Sequence, residues 1–197
     1  MIGENRFSYV YEVENTKTGQ LYAAKIINCQ NDENRCNDII SKEVNIFLKT
    51  NCRTIVKYFS FSRTDFDGQN NVTVLMELFR NGSLEKVITN FLNNQKPENF
   101  TNTTKQIIMI GIASAMKFLH RKNIIHRNLK AKNVLLDQNF HPKISDFSLL
   151  TNLSKSGADI RYEAPELFKN EPQNFKTDVY AFGILLFEIV SNSLAFP

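Results

Sequence analysis

The 197-residue chain, 42% hydrophobic and 22% charged, has the size and composition of one large domain or two small lobes around a real core, not of a disordered or fibrous protein. Its net charge of +4 comes from Lys and Arg scattered among Asp and Glu without a run of like charges, which argues against nucleic acid or a membrane surface as partner. No apolar run reaches membrane-spanning length, no signal-peptide pattern opens the chain, and three cysteines (Cys29, Cys36, Cys52) without zinc or C-x-x-C spacing read as reduced thiols of a cytoplasmic protein.

The first third reads as strands. Residues 7–14 and 20–28 carry β-branched and aromatic side chains on either side of a turn-like stretch at 15–19. Residues 38–50 space Ile39, Ile40, Val44, Phe47 and Leu48 as one face of a helix. Strand-like runs follow at 55–62 and 72–78, joined by a hairpin loop at 65–71 that contains Asp67-Gly68. Beyond residue 83 the pattern is helical. Residues 83–93 are amphipathic with Ser83 as N-cap, and 103–121 form a long helix whose apolar residues cover most of its circumference, so burial is expected. Short strands at 134–136 and 143–144 flank His141-Pro142, a polar loop runs to Glu166, and 177–190 is a strongly apolar helix. Asparagine is abundant throughout, with no mechanism evident from sequence.

Several short motifs follow one another in a fixed order. Lys25 ends Y-A-A-K in a predicted strand, and Glu43 lies on the next helix. Residues 125–133 read I-H-R-N-L-K-A-K-N; Asp146-Phe147-Ser148, Ala164-Pro165-Glu166 and Asp178 in T-D-V-Y-A-F-G come after. Taken singly, the lysine and glutamate are ordinary surface charges and Asp-Phe-Ser carries nothing. The series as a whole resembles the eukaryotic protein kinase domain over nearly the entire chain. Its wording, with Lys130 in the loop and R-N-G-S-L near residue 82, is similar to the tyrosine-kinase-like Ser/Thr group.

The resemblance implies an α+β, two-lobed protein kinase fold, truncated at both ends. Residues 1–79 would form a nucleotide-binding N-lobe, a five-stranded sheet plus one helix. Residues 80–197 would form a mainly helical C-lobe with the catalytic and activation loops, its last helices missing. ATP and Mg²⁺ are the implied cofactors, and a protein substrate or regulatory partner is implied, with no nucleic acid and no membrane. By family position, Lys25 and Glu43 hold the nucleotide phosphates, Asn133 and Asp146 hold Mg²⁺, and Lys130 steadies the γ-phosphate. Gly3, Val10, Ala23, Met76, Glu77, Leu78 and Leu135 match the nucleotide pocket, with Met76 as gatekeeper and Glu77 and Leu78 at the adenine edge. Phe47, Tyr58, His126 and Phe147 match the column that aligns in active members, and Asp178 matches the aspartate that braces the catalytic loop.

Three departures bear on chemistry. The pattern H-R-D-x-x-x-x-N places an aspartate where Asn128 stands, and a carboxamide oxygen is too weakly basic to accept a proton at neutral pH. The glycine loop G-x-G-x-x-G-x-V is reduced to residues 2–10, I-G-E-N-R-F-S-Y-V, with Asn5 and Ser8 where the backbone should approach phosphate, and Ser148 replaces the glycine of D-F-G. Asp159 stands where the family has threonine, and an Asp159–Lys130 ion pair is expected if the loop docks as in relatives. The expected function is a Ser/Thr kinase domain that binds ATP–Mg²⁺ with phosphoryl transfer impaired by Asn128. The alternative is a pseudokinase scaffold or partner-binding module without transfer; an incomplete gene product is the third reading.

Overall fold

The structure, a computed structural model, describes residues 1–5, 8–29, 34, 37, 40–41, 51–146 and 159–196. These form two compact units, Met1–Asn51 with Val56–Phe79, and Cys52–Ile55 with Arg80–Pro197. The first differs from the expected 1–79 at Cys52–Ile55. Ile55 bridges Ile144, and the Ile144 amide donates to the Thr54 carbonyl at 2.9 Å, so that segment packs with the second unit.

The first unit is a five-stranded antiparallel sheet in the order β1-β2-β3-β5-β4, built from β1 (Gly3–Asn5), β2 (Ser8–Glu14), β3 (Leu21–Ile27), β4 (Tyr58–Ser62) and β5 (Val72–Met76). Ser8 lies opposite Ile27, Val10 opposite Lys25 and Ala23 opposite Met76. Side chains alternate faces along a strand, so Ser8, Val10, Ala23, Lys25 and Met76 share one face. The hairpin loop is organised by Asp65, whose Oδ1 accepts the amides of Asp67 and Gln69 at 3.0 and 2.9 Å and whose Oδ2 accepts Asn71 Nδ2 at 2.7 Å. Of the helix expected over 38–50, Ile40 and Ser41 are described, and both are helical; Glu43 and Phe47 lie outside the described residues.

The second unit contains α1 (Leu84–Leu92), α2 (Asn102–Arg121), α3 (Pro165–Phe168) and α4 (Phe175–Ser191), with a two-stranded sheet of β6 (Val134–Leu136) and β7 (Pro142–Ile144). Ser83 caps α1 by accepting the Lys86 amide at 3.3 Å, and capping boxes open α2 (Thr101/Thr104) and α4 (Asn174/Thr177). Each of these four helices ends on a left-handed asparagine: Asn94, Asn123, Asn170 and Asn192 have φ of 57°, 57°, 60° and 56°. Asparagine tolerates that region better than other non-glycine residues, because its short side chain can satisfy local backbone groups. The asparagine abundance therefore has a structural use at these ends.

The two apolar helices are buried on one side only. Thr104, Ile108, Ile112, Ala115, Met116 and Leu119 of α2 are buried, while Ile110 is 70% exposed. On α4, Val179, Phe187 and Val190 are exposed, and Leu185 and Ile189 are buried. The expected all-round burial of the long helix fails because α2 is covered on a single face, by β7 and α4. That contact is close at Gly111, where an added Cβ would stand 2.3 Å from Pro142 Cγ.

The reduced-thiol expectation is corrected at Cys29, which is disulfide-bonded; its partner lies outside the described residues. Cys52 is free.

Candidate functional site

The loop at 125–133 is shaped by an acid on another element. Asp178, 2% exposed near the start of α4, accepts the amides of His126 (2.8 Å) and Arg127 (2.9 Å). His120 Nε2, on the last turn of α2, meets the same carboxylate at 2.9 Å. The two amide bonds hold Arg127 at φ 67°, a conformation that a side chain normally avoids and that persists only where the surroundings impose it. His126 is fully buried, and burial pushes its imidazole pKa down, an effect partly offset by the charges of Asp178 and Asp146. Its Nδ1 accepts the Asn128 amide at 3.2 Å.

The sequence-predicted metal ligands lie in this neighbourhood. Asn133, 3% exposed, donates Nδ2 to the Asn128 carbonyl at 2.7 Å, which leaves Oδ1 as its remaining side-chain acceptor. Its own carbonyl accepts both the amide and the hydroxyl of Ser145, at 2.9 and 3.1 Å, tying it to the residue before Asp146. Asp146 has φ 56°, and its carbonyl accepts Asn128 Nδ2 at 3.4 Å. An amide oxygen and a carboxylate are the hard oxygen donors that Mg²⁺ takes, so this pair fits the ion. Phe147 and Ser148 lie outside the described residues.

Asp159 does not pair with Lys130. It takes a bidentate bond from Arg161, Nε to Oδ1 at 2.8 Å and NH2 to Oδ2 at 2.7 Å. The fork of the guanidinium matches a carboxylate two residues away better than the single ammonium of Lys130 does. The Arg161 bonds hold the Asp159 carboxyl below the usual carboxylate range, and Lys130 adds a weaker, longer-range pull.

Sequence reasoning missed Tyr162 and Glu188. Tyr162 Oη accepts the Ala131 amide of the catalytic loop at 3.2 Å and donates to Glu188 Oε2 at 2.5 Å, while Glu188 Oε1 accepts the Ala195 amide at 3.0 Å. Burial raises the pKa of Tyr162, with the Glu188 bond adding to it, and burial likewise pushes Glu188 up. The available signal was a lone acid in the apolar run F-E-I-V, where an ionisable group requires partners.

In the first unit, Val10, Ala23, Lys25 and Met76 share the face described above, with Ala23 and Met76 buried. The Glu77 amide is used by the Lys57 carbonyl at 3.0 Å, whereas the Leu78 backbone makes no hydrogen bond among the described residues. A free backbone donor and acceptor beside an apolar face is what a purine edge requires, so these residues fit a nucleotide base. Gly3 sits in β1, where a Cβ would meet only ordinary contacts with Val10 at 3.8 Å. Leu135, in the second unit, bridges Ser83, and the neighbouring Leu136 amide donates to the Gly82 carbonyl at 2.9 Å.

A lysine-bearing antiparallel sheet, together with a helical unit in which a buried acid braces an H-R-x-x-x-x-x-N loop, defines a protein kinase. A family profile described as "Protein kinase domain" matches residues 1–197, and the chain belongs to that family. It is 32% identical over 201 residues to Cold-responsive protein kinase 1 of Arabidopsis thaliana, covering 96% of this chain and 50% of that protein. It is 31% identical over 209 residues to Receptor-like kinase LIP1 of the same plant, covering 99% of this chain and 31% of that protein. The cAMP-dependent protein kinase catalytic subunit of Dictyostelium discoideum is 28% identical over 196 residues, 97% of this chain and 29% of that protein. The chain thus spans half or less of the length of these relatives. No helix among the described residues is long and apolar enough to cross a membrane.

Proposed function

We propose that the chain is a kinase-fold domain of the Ser/Thr type that binds ATP with Mg²⁺, and in which phosphoryl transfer to protein Ser or Thr is impaired. The observation that carries this is Asn128. It stands in a fully braced loop with its Nδ2 directed at the Asp146 carbonyl, so the position that should accept the hydroxyl proton holds a neutral carboxamide. Nucleotide with Mg²⁺ would supply the phosphoryl group and its charge neutralisation. Lys25 would contact the phosphates, Asn133 Oδ1 and the Asp146 carboxylate would hold the ion, and Lys130 would face the γ-phosphate. Arg161 supports the impairment as well, because it occupies the carboxylate, Asp159, that could otherwise replace the lost base.

Asn128→Asp should raise phosphate transfer to a generic Ser/Thr substrate by about 10²–10⁴-fold, the usual contribution of a positioned base. Equal rates would remove Asn128 as the defect. Binding is tested separately: millimolar Mg·ATP should raise the melting temperature by mass action, and Asp146→Ala should abolish the part of the shift that requires Mg²⁺. No shift in the parent protein overturns the nucleotide reading. The scaffold reading gains if Asn128→Asp stays inactive while nucleotide still binds.

A further inference from the structure

We propose that the face of the five-stranded sheet opposite Lys25 is an interface between two copies of this chain, related by a two-fold axis. Side chains alternate along β2 and β3, so Tyr9, Tyr11, Tyr22, Ala24 and Ile26 lie on the face away from Val10 and Lys25. Thr73 is opposite Ile26, and its hydroxyl donates to the Thr64 carbonyl at 3.0 Å, which folds the start of the hairpin loop onto this same face. Two edge-to-face ring pairs result. Phe66 of the loop meets Tyr11 with centroids 6.4 Å apart, and Phe59 of β4 meets Tyr22 at 5.1 Å. Tyr11 is opposite Ala24, two residues from Tyr22, so the two tyrosines are diagonal neighbours and the two pairs form one aromatic surface. These rings are not a core: Tyr9, Phe59 and Phe66 are 44%, 42% and 64% exposed. Contiguous exposed aromatic side chains mark contact surfaces, where they supply large, rigid area.

The charges at the two ends of this surface select a second copy as the occupant. At the Phe59 end, the exposed Lys57 places its ammonium 5.1 Å from the ring centroid. At the Phe66 end, Asp65 and Asp67 flank the ring and outweigh the single cation Arg63. Asp67 is exposed and gives the loop its amide, which donates to Asp65 Oδ1 at 3.0 Å. A two-fold interface sets each end of a patch against the opposite end of its counterpart, so a base at one end, an acid at the other and rings between make the surface complementary to itself. In that pairing Lys57 of each copy faces Asp67 of the other. A partner of one charge sign would be attracted at one end and repelled at the other. The face lies across the sheet from Lys25, so the proposal does not depend on nucleotide binding or phosphoryl transfer.

Sedimentation velocity of the whole chain without nucleotide, from low to high micromolar concentration, should show a monomer passing to a dimer. Phe66→Ala and Phe59→Ala should each weaken dimerisation at least about tenfold, because a truncated aromatic contact is lost twice in a two-fold dimer. Lys57→Glu and Asp67→Lys should each weaken it about tenfold alone, since each sets two like-charge contacts in the dimer. An equimolar mixture of those two variants should recover the parental association, because both contacts of the mixed dimer then join opposite charges. Phe187→Ser, on the exposed side of α4, should leave dimerisation unchanged. Melting curves confirm that each variant is folded. The charge variants replace exposed side chains, so they decide the matter even where loss of a ring unfolds the sheet. A monomer at every concentration, a dimer indifferent to Phe66→Ala and Lys57→Glu, a mixture no tighter than its components, or a dimer lost in Phe187→Ser would overturn the proposal.

Discussion

The catalytic loop has its backbone held from outside, by Asp178 of α4, Tyr162 and Ser145, whereas the residue that opens β2, Ser8, buries a hydroxyl with no hydrogen-bond partner among the described residues. Both places depart from the family pattern. In the loop, Asn128 replaces the acid, yet every brace around it is kept and its amide finds an acceptor. On the sheet, Ser8 is 2% exposed, and the polar atom it adds has been removed from water with no compensating partner among the described residues. A substitution is absorbed where neighbouring groups can still pair, and leaves a cost where they cannot.

The largest effect that sharpens this contrast is expected at Asp178. Asp178→Ala strands two loop amides, and we expect a loss of about 3–5 kcal/mol in denaturant unfolding, the range for removing one partner of a buried charged network. A loss below about 1 kcal/mol would mean that the loop does not depend on this brace.

The next effect is pH-dependent. Burial lowers the His126 pKa below its unfolded value, so the folded state resists a proton that the unfolded chain accepts. Stability is then complete above about pH 6.5 and falls as pH drops below it, by up to about 1.4 kcal/mol per pH unit until the folded-state pKa is reached. Chemical unfolding between neutral and mildly acidic pH should show this slope, and His126→Gln should flatten it. A parallel slope in the variant would assign the acid sensitivity elsewhere.

The smallest effect lies on the sheet and has the opposite sign. Ser8→Ala removes the unpaired hydroxyl while keeping the strand backbone, and should raise stability by about 1 kcal/mol, read as a higher melting temperature. A drop of similar size would show that the hydroxyl is satisfied after all, and the contrast with the catalytic loop would disappear.

Much of the fold was legible because its signals are local. Ser83 stands three residues before the amide it caps, and β6 and α1 fall within a residue or two of their expected bounds because alternation and helical spacing are written along a single segment. That residue 128 carries a neutral carboxamide and not a carboxylate was legible for the same reason, since it is a property of the side chain itself. The first strand of the sheet, Gly3–Asn5, was hidden within the reduced glycine loop because three residues carry too little periodicity.

What the sequence by itself determined is thus the family, the order of elements and the identity of the neutral group at 128. The tertiary structure alone decided which groups pair. Arg161 captures Asp159 in preference to Lys130, because a planar fork two residues away satisfies both carboxylate oxygens. Glu188 meets Tyr162 across 26 residues, and Asp178 gathers His120 with the loop amides across more than 50. The sides of α2 and α4 that are buried were settled by what packs against them. Hydrogen bonding and burial depend on which groups share a few ångströms, and chain order does not encode that separation.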